Sequence, residues 1–207
     1  MNNLVFSQIT LRRLIGILAI MFPFLLILGT WTGGVVPLLG SLSAHYWSSS
    51  IVIFVGMLIT FGIFLITYKG YDKIDEIITT ISGIAMICIA IFPALGGDVY
   101  LFLFIPPLIT HILHTIFAII AFSFLGIMSF FQFTKHQGEM SKNKKKRNII
   151  YRICGIIIFA SILLMIPTQI FDILNIVRLF FWLESIVVWA FGISWLVKGK
   201  GLLVDKN

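Results

Sequence analysis

SIVIFVGMLITFGIFLITY, residues 50–68, runs for nineteen positions without a single charged side chain. A stretch of that length and apolarity matches a ~30 Å hydrocarbon layer crossed at 1.5 Å per helical residue. It does not alternate apolar and polar with period two, as a barrel strand would, so a helix is the way its backbone can be satisfied in lipid. Five more segments read the same way, at about 13–32, 76–95, 109–133, 149–167 and 178–197. The whole chain of 207 residues is 59% hydrophobic and only 11% charged, with a mean hydropathy of +1.08. Soluble domains carry about 25% charged residues. The pattern predicts an all-α polytopic membrane protein, a six-transmembrane-helix bundle forming one domain over 1–207. No long linker or internal repeat divides it.

The charge pattern sets an orientation. Arg12 and Arg13 precede the first segment, Lys69 and Lys73 follow the second, and six basic residues from Lys135 to Arg147 follow the fourth. Arg152 lies just beyond, and Lys198, Lys200 and Lys206 follow the sixth; of the 15 basic residues, only Arg178 falls on the other side. Positive residues concentrate on the cytoplasmic side, which predicts both termini inside and, for a bacterial chain, residence in the inner membrane. The net charge of +7 is therefore read as a topology signal and excludes a nucleic-acid partner. The hydrophilic connection 135–148 could meet anionic headgroups, so membrane lipids are the expected partners. The first segment has a longer apolar core than a signal peptide and no A-x-A-like site, and is expected to stay as an anchor.

Polar residues other than Lys and Arg gather at the external end. Ser41, Ser43, His45 and Tyr46 fall in the first external connection, Asp98 in the second, Asp172 and Arg178 in the third. His111 and His114 lie near the outer end of the fourth segment, and Glu184 about 9 Å into the sixth. A carboxyl group within a span is costly and calls for a partner, here His114, His111 or Arg178. Glu184 and His114 are the candidates for acid–base or proton-relay chemistry, with Ser43 as a possible nucleophile. Ser41, Ser43, His45, Tyr46, His111, His114 and Glu184 form the expected ligand-binding set. His111 and His114 are one helical turn apart, but two histidines make no zinc site without further ligands, and Cys88 and Cys154 sit in different segments. Neither a metal nor a cofactor is predicted.

Small residues mark expected helix contacts, since lipid provides no hydrophobic drive between helices. Gly56, Thr60, Ile63 and Thr67 form one such stripe, and His111, His114, Thr115, Ala118 and Ala121 another. Tyr68, Tyr71 and Trp195 are expected in an inner aromatic belt, and Trp31, Trp47, Tyr100 and Trp182 in an outer one. Pro23 is expected to kink the first helix.

Taken together, GSLSAHY (40–46), YKGYD (68–72), the His114–Ala118 spacing, YRICG (151–155) and ESIVVWAFGISWLVKG (184–199) resemble a family of small, uncharacterised bacterial inner-membrane proteins. In plan the chain is also similar to the six-helix DRAM-like membrane proteins, which include lipid-remodelling factors for GPI anchors. That group is similar in carrying a His followed four residues on by Ala in the fourth span and an acidic residue near a Trp in the sixth, a pattern matched here by His114, Ala118, Glu184 and Trp189. A looser likeness is to the alkaline ceramidase and adiponectin-receptor superfamily, which holds zinc with Ser, Asp and His. The expected function is that of an integral inner-membrane protein with an outward-facing polar pocket for a lipid headgroup or small ligand. A lipid hydrolase or transferase, with or without the help of a metal, and a proton-coupled carrier are the alternatives.

Overall fold

The computed structural model describes residues 7–34, 38–96, 104–136, 139–170 and 178–200, so Asp98, Tyr100, Asp172 and Lys206 lie outside the described residues. Among these, the chain forms six α-helices and no strand: α1 (Gln8–Thr32), α2 (Ile51–Thr67), α3 (Lys73–Ile91), α4 (Pro107–Ile127), α5 (Lys142–Ile170) and α6 (Leu179–Lys198). All but α2 are long and apolar enough to cross a membrane. The stretch 50–68 thus yields the shortest helix of the set, because Ser50 and Tyr68 flank it as caps outside the helical run.

Each helix packs on its neighbours in sequence, and α6 closes the ring against α1. Glycines allow the close approaches. A Cβ on Gly62 of α2 would lie 2.8 Å from the Gly83 carbonyl oxygen of α3, and one on Gly83 only 2.5 Å from that of Gly62. Gly16 of α1 and Gly192 of α6 face each other in the same way, each Cβ position 2.8 Å from the other's carbonyl oxygen. Such backbone contact replaces the hydrophobic drive that lipid cannot supply. Around these contacts the core is aromatic. Trp195 is fully buried, with the rings of Phe64, Tyr68 and Phe133 at 4.8, 4.8 and 5.1 Å.

Three expectations from helix faces are corrected here. The stripe Gly56, Thr60, Ile63 and Thr67 faces outward, and α2 instead buries Phe54, Leu58, Phe61 and Leu65 around Gly62. Thr60 and Thr67 donate to the carbonyls of Gly56 and Ile63 in their own helix, so their hydroxyls need no neighbour. Thr115 likewise bonds the His111 carbonyl and points outward. Trp195 belongs to the core and not to an interfacial belt, since its ring is fully buried among those of Phe64, Tyr68, Phe133 and Phe191. Pro23 lies inside α1, which continues through it from Gln8 to Thr32.

One end of the bundle collects most of the charged side chains among the described residues. Asp72 caps α3 by accepting from the Asp75 N–H, and Lys135 bonds both carboxylates at 2.8 Å. Gly70 is required beside them, because a Cβ there would strike the Asp75 side chain. At the same end Arg13 donates to the carbonyls of Gly199 and Lys200, satisfying the C-terminus of α6. The connection between α1 and α2, carrying a short helical turn over Ser43–Trp47, covers the opposite end.

Candidate functional site

The site is built where this connection meets α4 and α6. Glu184 sits in the second turn of α6, about 8 Å from its start, and His114 about 10 Å into α4. The two helices bring the side chains to one level, and the connection delivers Ser43 between them. Ser43 Oγ lies 3.1 Å from Glu184 Oε1 and 2.9 Å from His114 Nε2. The other carboxyl oxygen, Oε2, accepts from the Leu42 backbone N–H. His114 Nδ1 is 2.8 Å from the Phe92 carbonyl oxygen at the end of α3. All three side chains are buried, at 7% exposure for Ser43 and 5% each for His114 and Glu184.

Hydrogen-bond accounting fixes the protons. A carbonyl only accepts, so Nδ1 of His114 carries a proton and donates to Phe92. The Ser43 hydroxyl has one hydrogen, yet stands between two groups that are both acceptors when the carboxylate is ionised and the imidazole neutral. Every contact is satisfied only if the chain holds one more proton. With that proton on Glu184, the acid donates to Ser43 and Ser43 donates to Nε2. With it on Nε2, the imidazolium donates to Ser43 and Ser43 donates to the carboxylate. The two forms share the same heavy-atom positions and differ by a hop along Glu184–Ser43–His114. A Glu–His pair sharing one proton is neutral overall or internally compensated, which lowers the cost of placing both in a bundle interior.

Below the three polar groups lies a cavity of about 30 Å³ with apolar walls that include Phe22, Phe54, Phe61, Met86 and Phe191. That is room for roughly one or two water molecules. The cavity is closed above by the 38–50 connection, which is pinned at several points. Ser50 Oγ donates to the Leu26 carbonyl at 2.7 Å, Ser49 Oγ to that of Gly29 at 2.7 Å, and Trp47 Nε1 to that of Ala94 at 2.8 Å.

The remaining predicted residues serve the cover. Ser41 Oγ accepts from the Ala44 N–H, and the Ser41 carbonyl bonds Nδ1 of His45 at 2.9 Å. His45 is fully buried beside the Phe181 ring, at 5.7 Å. Tyr46 packs on Trp47 and Phe54, at 5.2 and 6.3 Å, and burial alone pushes its phenol above the ordinary range. His111 is half-buried and accepts the Leu95 N–H at 3.1 Å, tying the end of the α3–α4 connection to α4. Arg178 starts α6 in a left-handed conformation, exposed. Of the three expected partners of Glu184, only His114 is coupled to it, and through Ser43 rather than directly.

The Leu42 N–H and the Phe92 carbonyl were not foreseeable, because a backbone group carries no residue-type signal. Among the described residues, no three His, Cys, Asp or Glu side chains gather into a metal-binding group. No protein family, no curated protein and no solved structure matches the chain.

Proposed function

We propose that this is a bacterial inner-membrane protein with six spans and both termini in the cytoplasm, which engages a lipid headgroup or small polar ligand at Glu184, Ser43 and His114 and exchanges a proton with it. The observation that carries the reading is the single Ser43 hydroxyl shared between Glu184 Oε1 and His114 Nε2. A chain with one mobile proton presents either an acid or a base to whatever reaches it, without moving a heavy atom. The apolar walls beneath and the polar cluster above suit an amphiphile or a ligand with one polar end. Entry requires the 38–50 cover to lift, since 30 Å³ holds no headgroup. The resemblance to DRAM-like lipid-remodelling proteins supports the reading to the extent that those carry a His four residues before an Ala in span four and an acidic residue near a Trp in span six, as His114, Ala118, Glu184 and Trp189 do here. Counting α2 as a span is consistent with its 17 residues, at the short limit of spanning helices.

Native mass spectrometry of protein released from membranes tests this, comparing wild type with Glu184→Gln and His114→Ala. Loss of a co-purifying lipid or small molecule from the folded variants is expected. Unchanged occupancy in both would sink the reading.

A hydrolase or transferase is favoured by one distance. Ser43 Oγ at 2.9 Å from an imidazole nitrogen has nucleophile–base geometry. In that reading His114 takes the Ser43 proton as Oγ attacks an ester, and Glu184 supplies the acid for the leaving group. Covalent labelling of Ser43 by a fluorophosphonate, abolished in His114→Ala, is the outcome expected of it; an unlabelled Ser43 in active preparations rules it out.

A further inference from the structure

The charged end of the bundle contains a second, larger cavity, of about 340 Å³. Among the described residues six cations line it, and they come from four separate parts of the chain: Arg12 from α1, Lys135 from the end of the α4 segment, Lys144 and Arg147 from α5, and Lys198 and Lys200 from the end of α6 and just past it. Glu139 is the one acidic residue on its wall among the described residues. A topology signal needs only that basic residues lie on one side of the membrane. It gives no reason for them to converge on a common hollow, where like charges repel.

Their side chains are also held in place. The Lys198 ammonium stands 4.4 Å from the centre of the Tyr71 ring and 5.0 Å from that of Phe133. The Arg12 guanidinium stands 5.2 Å from the Tyr68 ring, and Lys144 donates to the Phe133 carbonyl at 2.9 Å. Aromatic faces attract cations without neutralising them. The nearby carboxylates of Asp72 and Asp75 are both taken by Lys135. Arg12, Lys198 and Lys200 have no carboxylate within ion-pair distance among the described residues. Nε of Arg12 is buried there without a hydrogen-bond partner. The first turn of α5, whose positive dipole end opens beside Lys144, adds to the field.

We infer that this cavity binds a phosphate group, carried by an anionic phospholipid headgroup or by a soluble phosphate ester. Its volume lies within the range of small-ligand sites. A guanidinium and several ammonium groups converging from different directions match the tetrahedral spread of phosphate oxygens. The position, at the bundle end where helices leave the apolar layer, is level with headgroups. This site is separate from the Glu184 cluster and stands or falls independently of it.

The full chain in detergent is titrated with short-chain phosphatidic acid, read by native mass spectrometry against phosphatidylcholine, and with glycerol 3-phosphate, read by calorimetry. Saturable binding of one molecule per chain is expected for at least one phosphate probe. Binding of the lipid alone assigns a headgroup site, of the ester alone a soluble-ligand site, and of both a site open to either source. Lys198→Gln and Arg12→Gln each weaken binding about tenfold, as expected for one charged phosphate contact. Lys198→Arg, which keeps the charge, retains it, separating ligand contact from a folding defect. The double variant Lys69→Gln/Lys73→Gln removes two charges outside the cavity and leaves binding unchanged. Absence of saturable binding for both probes overturns the inference. So does an equal loss in the Lys69/Lys73 control, which would mean general surface charge.

Discussion

Ser43 Oγ lies 2.9 Å from Nε2 of His114, although 71 positions separate them in the chain. The contact exists because a buried backbone turn carries the serine down onto α4, and among the described residues it makes the serine the link between His114 and Glu184. Replacing Ser43 by Ala strands both polar groups. A loss of about 1–3 kcal/mol in stability is expected, the cost of leaving a buried polar group unsatisfied. Reversible unfolding in mixed detergent micelles measures it; a change below the error of the method would mean the chain is not closed as described.

Glu184→Gln separates structure from proton transfer. The Gln carbonyl still accepts the Leu42 N–H, and its NH₂ donates to Ser43, which then donates to His114. Every hydrogen bond survives with no labile proton on residue 184. The variant is expected to retain stability within about 1 kcal/mol while losing the infrared bands of the residue 184 carboxyl group, acid or carboxylate, and any proton-linked ligand binding. Glu184→Leu, which satisfies neither Leu42 nor Ser43, should be clearly less stable than Glu184→Gln.

Gly83→Val should push α2 from α3, since a Cβ at that position already falls 2.5 Å from the Gly62 carbonyl oxygen. Overpacking of this kind costs typically ~1–3 kcal/mol. Gly56→Val is the matched control on the outer face of α2, where a Cβ meets nothing within 4 Å. Comparison of thermal stability in detergent decides; equal effects would remove the glycine contact as the reason for close packing.

The Asp72–Lys135–Asp75 bridge predicts an acid-sensitive limb of the stability curve. Hydrogen bonding to Lys135, then the N–H of Asp75, holds the Asp72 carboxyl below the ordinary range. Burial draws the Lys135 ammonium down, but its bonds to Asp72 and Asp75 outweigh that and hold it above its ordinary value. A depressed carboxyl stabilises fully above its unfolded value, and that contribution is lost as pH falls through the folded value. Stability should therefore decline below the ordinary carboxylate range, and Asp72→Asn should flatten that decline. On the alkaline side, the Lys135 contribution persists until pH rises through its raised folded value. An unchanged acid limb in Asp72→Asn would assign it to other groups.

Orientation is open to cysteine labelling in a background of Cys88→Ala and Cys154→Ala. Leu95→Cys lies at the end of the bundle with Ser43, and Lys142→Cys at the basic end. A membrane-impermeant maleimide should label Leu95→Cys in intact spheroplasts and Lys142→Cys only after the membrane is opened. The reverse pattern would invert the topology.

Helix existence was legible because crossing lipid demands a long apolar run, which the sequence states position by position. Charge asymmetry and the gathering of Ser43, His114 and Glu184 at one end were equally readable, since helices alternate direction. Helix faces were less so. Thr60, Thr67 and Thr115 looked like contact residues, yet their hydroxyls return to their own helices, and lipid tolerates a side chain so satisfied. Trp195 looked interfacial, because aromatic rings are common there, but rings from α2 and from the segment after α4 enclose it, which only packing reveals.

Residue types and spacing alone therefore determined a helical membrane chain, the basic ends of its helices, and the short roster from which a site could come. Only the tertiary structure decided that Ser43 would stand between Glu184 and His114, and that cations from four segments would surround one hollow. The reason is physical. Period and hydropathy are properties of a segment, whereas a hydrogen bond depends on the relative depth and rotation of separate helices. Those are set by close contacts such as Gly62 on Gly83 and Gly16 on Gly192, and by backbone groups of Leu42 and Phe92 that look the same in every residue.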